Sequence, residues 1–234
     1  MFDFNKINPF RQKITTAKVI RSSSKKVVLT EAIFNQTISN KVPSESLEYC
    51  TELWKKHPFS FAITKTRSTC LGNYKYQNGS HTITINHDLN PYNFLITYIH
   101  EVAHQRVFIA HKGKKRPAPH GKEWKTHFQY LITPLLNESI FPQEVLTPLT
   151  LHMKNPPASS TRDLKLMKSI KLFDLGDKTN VFHLEDVPDL QTFLFKNRKF
   201  QKIEKRRTRA LCLELQSKRK YTIPLLAEVK PIVE

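Results

Sequence analysis

A chain of 234 residues in which 38 Lys and Arg stand against 20 Asp and Glu has a net charge of +18 and a pI near 9.9. That excess points to a polyanionic partner and says nothing of fold. The three cysteines, Cys50, Cys70 and Cys212, are scattered with no C-x-x-C pair, which excludes a ribbon-type second metal site and fits a reducing compartment. The polar, Lys-containing N-terminus has neither a signal-peptide apolar block nor a bilayer-long stretch, so the expected location is the cytoplasm, at the nucleoid if the source is bacterial, with no membrane partner.

Residues 1–40 read as a basic N-terminal arm: seven Lys and Arg precede position 27 against Asp3, and a short helix fits around Val27–Ile38. From Ser44 the run Leu47, Tyr49, Cys50, Leu53, Trp54 predicts a helix that ends at His57-Pro58. Phe59, Phe61 and Ile63 alternate as a strand. Tyr74 and Tyr76 then lead into Asn78-Gly79, a type I′ hairpin signal, and Ile83 and Ile85 line the inner face of the returning strand. Asn90 reads as an N-cap with Pro91 at the first helical position, and Leu95, Ile99 and Val102 continue a core helix to about Ala110. The order of elements predicts an α+β domain over 41–150 with a small antiparallel sheet.

The core helix carries His100-Glu101-Val102-Ala103-His104, an H-E-x-x-H motif. Residues four apart share a helical face one turn from each other, so both imidazoles can reach one cation. Glu101 is offset from that line, where it can hold a metal-bound water. A catalytic zinc ion needs a third protein ligand and leaves the fourth position for water. The metzincin placement is excluded because Val107 and Ala110 stand where its Gly and His belong. His111 sits at the end of the same helix, about 10 Å further along the axis. His120 is the better candidate, at the first turn of a second amphipathic helix marked by Trp124, Phe128, Leu131 and Leu135. Glu123 is its rival, three residues on and on the same face, and spacing does not separate them.

These residues resemble the SprT-like metalloproteases, which include the Spartan proteases that degrade proteins crosslinked to DNA. The resemblance rests on the HEVAH helix, a short basic loop and the HGKEW segment, and reaches back through Thr66–Gly72 and Ile83–Asn86. It implies a zincin-like metalloprotease domain, one Zn2+ per chain held by His100, His104 and His120, Glu101 as catalytic acid/base, and Glu123 as a helix residue that is no ligand. Many bacterial members end in a four-cysteine zinc ribbon, which this chain lacks.

Pro156-Pro157-Ala158-Ser159-Ser160 predicts a linker over 151–178. Beyond it, Val181–Leu184, Thr192–Lys196, Lys199–Glu214 and Lys220–Val229 read as strands of a small all-β C-terminal unit, 179–234. It would be a metal-free meander of about three or four strands with Phe193, Phe195, Phe200, Leu211, Leu213 and Tyr221 inside, docked on the first domain. Residues 196–220 hold a local excess of +9, half of the total. Lys205, Arg206, Arg207 and Arg209 on one strand, and Lys112, Lys114, Lys115 and Arg116 in the loop beside the cleft, are the expected phosphate contacts. The expected function is a zinc endopeptidase acting on DNA-bound or DNA-crosslinked proteins. The alternatives are a gluzincin-type peptidase using Glu123 with no nucleic-acid role, or a non-catalytic zinc-containing DNA-binding protein.

Overall fold

The computed structural model describes residues 29–174 and 182–232, apart from Ser68, Lys114 and Arg116. Most of the basic arm therefore lies outside the described residues. Its end does not. Thr30 caps α1 (Glu31–Ile38) by accepting the Ile33 N–H, and Phe34 and Ile38, four apart on one face, are fully buried. Phe34 stacks on Trp54 of α2 (Leu47–Lys56) with ring centroids 5.1 Å apart. The boundary at residue 40 is corrected accordingly: an i, i+4 apolar pair outweighs the basic residues before it.

Strands β1 (Ser60–Thr64), β2 (Gly72–Gln77) and β3 (Ser80–Asn86) form a sheet in the order β1-β3-β2. Asn78 and Gly79 turn the β2–β3 hairpin with φ of +51° and +77°, the pair of left-handed residues that a type I′ turn needs. The expected antiparallel sheet is in fact mixed, because β1 pairs with β3 in parallel. Alternation tells which side of a strand is buried and leaves its neighbour open. The crossover from β1 to β2 is held on β3 by a reciprocal clasp. Arg67 donates to Asn86 Oδ1 at 2.8 Å, and Asn86 Nδ2 donates to the Arg67 and Cys70 carbonyls at 3.2 and 2.9 Å.

Helix α3 (Pro91–Ala110) begins as its sequence dictates, with the Asn90 side chain accepting from Asn93 N–H and Pro91 in the first turn. Phe94, Leu95, Tyr98, Ile99 and Val102 are fully buried between the sheet and the other helices. Trp124, Phe128 and Leu131 of α4 (Lys122–Ile132) pack into the same core. So do Val145 and Leu149 of α5 (Gln143–Met153) and Leu166 and Ile170 of α6 (Leu164–Lys171).

The linker over 151–178 is thus overturned as far as residue 174. The two prolines after α5 punctuate one domain, and α6 has the apolar spacing Leu166, Met167, Ile170 that brings it back to the core. Asn90 Nδ2 donates to the Ile170 carbonyl at 2.9 Å, tying α6 to the start of α3.

The C-terminal unit is a six-stranded sheet rather than a meander of three or four strands. Its strands are β4 (Phe182–His183), β5 (Thr192–Phe195), β6 (Arg198–Lys205), β7 (Arg209–Glu214), β8 (Lys220–Pro224) and β9 (Glu228–Pro231), in the order β4-β9-β5-β6-β7-β8. The run 199–214 divides at Arg206–Thr208, and the run 220–229 divides after Pro224, so that β9 returns beside β5. Phe193 and Phe200 stack at 5.8 Å over Ala210, Cys212, Ile223 and Leu225. Leu211 and Leu213, expected inside, lie on the other face of β7, only partly covered. The stacked rings fill the interior, and the small side chains of β7 fit beneath them. This unit docks on α6: Lys168 pairs with Glu185 at 2.5 Å, and Lys171 Nζ donates to the Leu226 carbonyl at 3.2 Å.

Candidate metal centre

His100 and His104 occupy successive turns of α3, and a third imidazole comes from the chain that approaches α4. The sequence puts His120 at the first turn of that helix. Instead it lies two residues before Lys122, in the left-handed region with φ +59°, and Gly121 is the cap. That unusual backbone turns its ring toward α3. The Nε2 atoms lie 3.2 Å (His100–His104), 3.0 Å (His104–His120) and 3.2 Å (His120–His100) apart. Tetrahedral zinc with bonds of ~2.0–2.1 Å separates its nitrogen donors by about 3.3 Å, so the three atoms are spaced to hold one ion. Trp124 seats all three rings, its centroid 4.6, 5.5 and 4.7 Å from those of His100, His104 and His120.

Burial prepares these rings for a cation. Desolvation, with the neighbouring imidazoles second, holds His100 well below the ordinary histidine range. The same two causes bring His104 to about 4. His120 is lowered by burial and then by Arg162. All three therefore offer neutral lone pairs near pH 7, the form a metal requires.

Glu101 is 5% exposed and lines the same cleft of about 320 Å³. Burial pushes its carboxyl up to about 8, against the backbone N–H of Tyr74 and the charge of Arg67, which act to lower it. Strand β2 passes so close over α3 that a Cβ on Gly72 would come 2.7 Å from Glu101 Oε1 and 2.6 Å from Thr97 Cγ2. Glycine at this position lets the carboxylate lie under the strand. Sequence reading gave Gly72 no role of its own, although it closes the Thr66–Gly72 segment that carries the resemblance. That reading also missed His152 of α5 and Asp163 at the α6 N-cap, which lie far along the chain from the motif; His152 lines the cleft.

Other candidates fall elsewhere. His111 caps α3 with its Nδ1 3.0 Å from the Val107 carbonyl, and Glu123 is exposed on α4. Neither belongs to the histidine cluster, and among the described residues no fourth His, Cys, Asp or Glu joins it. Lys112, expected at the cleft edge, lines a separate groove with His81 and Phe108. Lys115 is exposed, while Lys114 and Arg116 lie outside the described residues.

Lys205, Arg206, Arg207 and Arg209 do not share one strand. They surround the β6–β7 turn, closed by Arg206 N–H donating to the Arg209 carbonyl at 2.8 Å. The long strand was misread because a run of basic residues contains no Gly, Pro or Asn to mark a turn. Lys205 pairs with Glu185, Arg206 with Glu204, and Arg209 donates to the Thr222 carbonyl. Arg207 instead joins Arg162 and Lys165 in a groove that shares Pro157 with the metal cleft.

Three imidazoles converging beside a buried carboxyl form a cluster that could hold a single metal ion. Residues 30–139 match the model of the SprT-like family, a family that is zinc-dependent and generally of metallopeptidases. The match stops short of α5, α6 and the β unit. Searches of the curated proteins and of the solved structures return no match. Among the described residues no helix is long and apolar enough to cross a membrane.

Proposed function

We propose that the chain is a zinc-dependent endopeptidase of the zincin type that acts on proteins bound or crosslinked to DNA. The observation that carries the catalytic half is the convergence of His100, His104 and His120 Nε2 in one cleft with the Glu101 carboxyl. Zinc in that position supplies a water of lowered pKa and a Lewis acid for the peptide carbonyl. The Glu101 carboxylate would be favoured by a dication held at those three imidazoles, which would offset the burial that raises its pKa. Glu101 takes a proton from the attacking water as the water oxygen bonds to the peptide carbon. It returns that proton to the amine as the C–N bond breaks.

The nucleic-acid half is supported by position as well as by charge. Arg162, Lys165 and Arg207 line a groove that shares Pro157 with the cleft. A phosphate backbone held there would present a DNA-bound protein to the metal centre.

Glu101→Gln tests the catalytic half. It should keep one zinc per chain and lose at least ~100-fold in cleavage of denatured casein or of a DNA-bound protein, the usual worth of a general acid/base. Turnover above about a tenth of wild type would sink the assignment.

A further inference from the structure

His152 closes α5 beside the cleft, outside the SprT-like segment and outside the metal cluster. Its side chain is 2% exposed, yet the residue lines the same cavity as His100, Glu101 and His120. Nδ1 lies 2.9 Å from Asp163 Oδ2. That carboxylate is itself locked, because Oδ1 accepts the Leu166 N–H at 3.2 Å as the N-cap of α6. A helix terminus thus fixes the acid, and the acid fixes the imidazole.

Packing alone does not call for this pair. The neighbouring buried positions Leu149, Met153 and Leu166 are apolar, and a polar pair beside them costs desolvation that an aliphatic residue would avoid. Nδ1 faces Asp163, so Nε2 is the ring nitrogen turned away from that carboxylate.

We propose that His152, oriented by Asp163, is a second catalytic residue of the cleft, whose Nε2–H donates to the carbonyl oxygen of the scissile peptide. The assignment rests on the endopeptidase reading above. As water adds to the carbonyl carbon, the C=O electron pair moves onto oxygen, and a donor already aimed there stabilises the developing charge without reorganisation. Asp163 keeps its proton balance unchanged and acts as a positioning residue.

The test uses the full chain loaded with zinc and assayed on denatured casein for wild type, His152→Ala, His152→Gln and Asp163→Asn, with zinc content and melting temperature measured for each. His152→Ala should lower kcat about 100-fold, the scale of one oxyanion donor, with KM within about 3-fold and zinc at one per chain. His152→Gln, which has an amide donor, should recover part of the loss, and Asp163→Asn should lose about 10-fold, as expected of an orienting partner. A phosphonamidate peptide, which mimics the tetrahedral oxygens, should lose affinity in step with kcat/KM. A kcat within about 3-fold of wild type in His152→Ala overturns the proposal. So does a loss that tracks missing zinc or a lowered melting temperature in both His152 variants, since the role is then structural. Absence of cleavage by the wild type is a different failure, which removes the endopeptidase reading and this assignment with it.

Discussion

Between Phe34 and Ile170 the buried Glu101 and His152 line one cleft with the three site histidines, whereas between Phe182 and Ile232 most of the charge stays at the surface. The few buried ions of the β unit are satisfied close by. Lys202, 3% exposed, donates to the Val187 carbonyl at 2.5 Å and faces Asp189 at 3.3 Å. Glu214 accepts the Ser217 N–H at 2.6 Å and faces Arg198 at 3.6 Å. Among the described residues the Nε2 atoms of His100, His104 and His120 have hydrogen-bond-distance neighbours in each other. A buried polar group without a partner costs free energy, so the second region completes its own bonding while the first leaves a position that an ion can complete. The basic turn works on other terms, since exposed charges act additively and are screened by salt.

The largest expected effect lies at the centre. His120→Ala removes one of the three proposed ligands and should abolish zinc retention under mild chelation. Its loss should exceed the ~10–100-fold that removal of a ligand's supporting partner costs. Occupancy of one per chain after dialysis against a chelator would overturn the ligand set.

Phe200→Ala asks whether the two cores are separate. It deletes half of the Phe193–Phe200 stack and should cost about 3–5 kcal/mol. Both tryptophans, Trp54 and Trp124, lie in the first core. The mutant's circular-dichroism transition in urea should therefore begin before its tryptophan transition. Coincident transitions shifted together would show that the regions melt as one.

Gly72→Ala should cost roughly 1–3 kcal/mol by overpacking and lower kcat about 10-fold or more through displacement of Glu101, with zinc retained. Unchanged kcat would mean that β2 yields freely over α3.

The smallest effect belongs to the turn. Arg207→Gln should reduce the slope of log K against log salt for a labelled oligonucleotide by about 0.7–0.9. Lys205→Gln, Arg206→Gln and Arg209→Gln should change it less, because those side chains already have partners within the protein. Equal slopes in all four variants and wild type would make the basic turn a solvated surface.

Local chemistry was legible from the chain alone. Asn90-Pro91 started α3, Asn78-Gly79 turned the hairpin, and the spacing of His100 and His104 put two imidazoles on one face. Each depends on residues within about two helical turns of each other. Spacing left His120 and Glu123 equivalent; the left-handed backbone at His120 and its seat on Trp124 separated them. Tertiary structure alone decided that β1 lies parallel to β3, that α6 returns to the core, that Ala210 and Cys212 rather than Leu211 and Leu213 face inward, and that Gly72 and His152 reach the cleft. Those outcomes depend on partners remote in sequence, and periodicity records which side of an element is buried without recording what buries it.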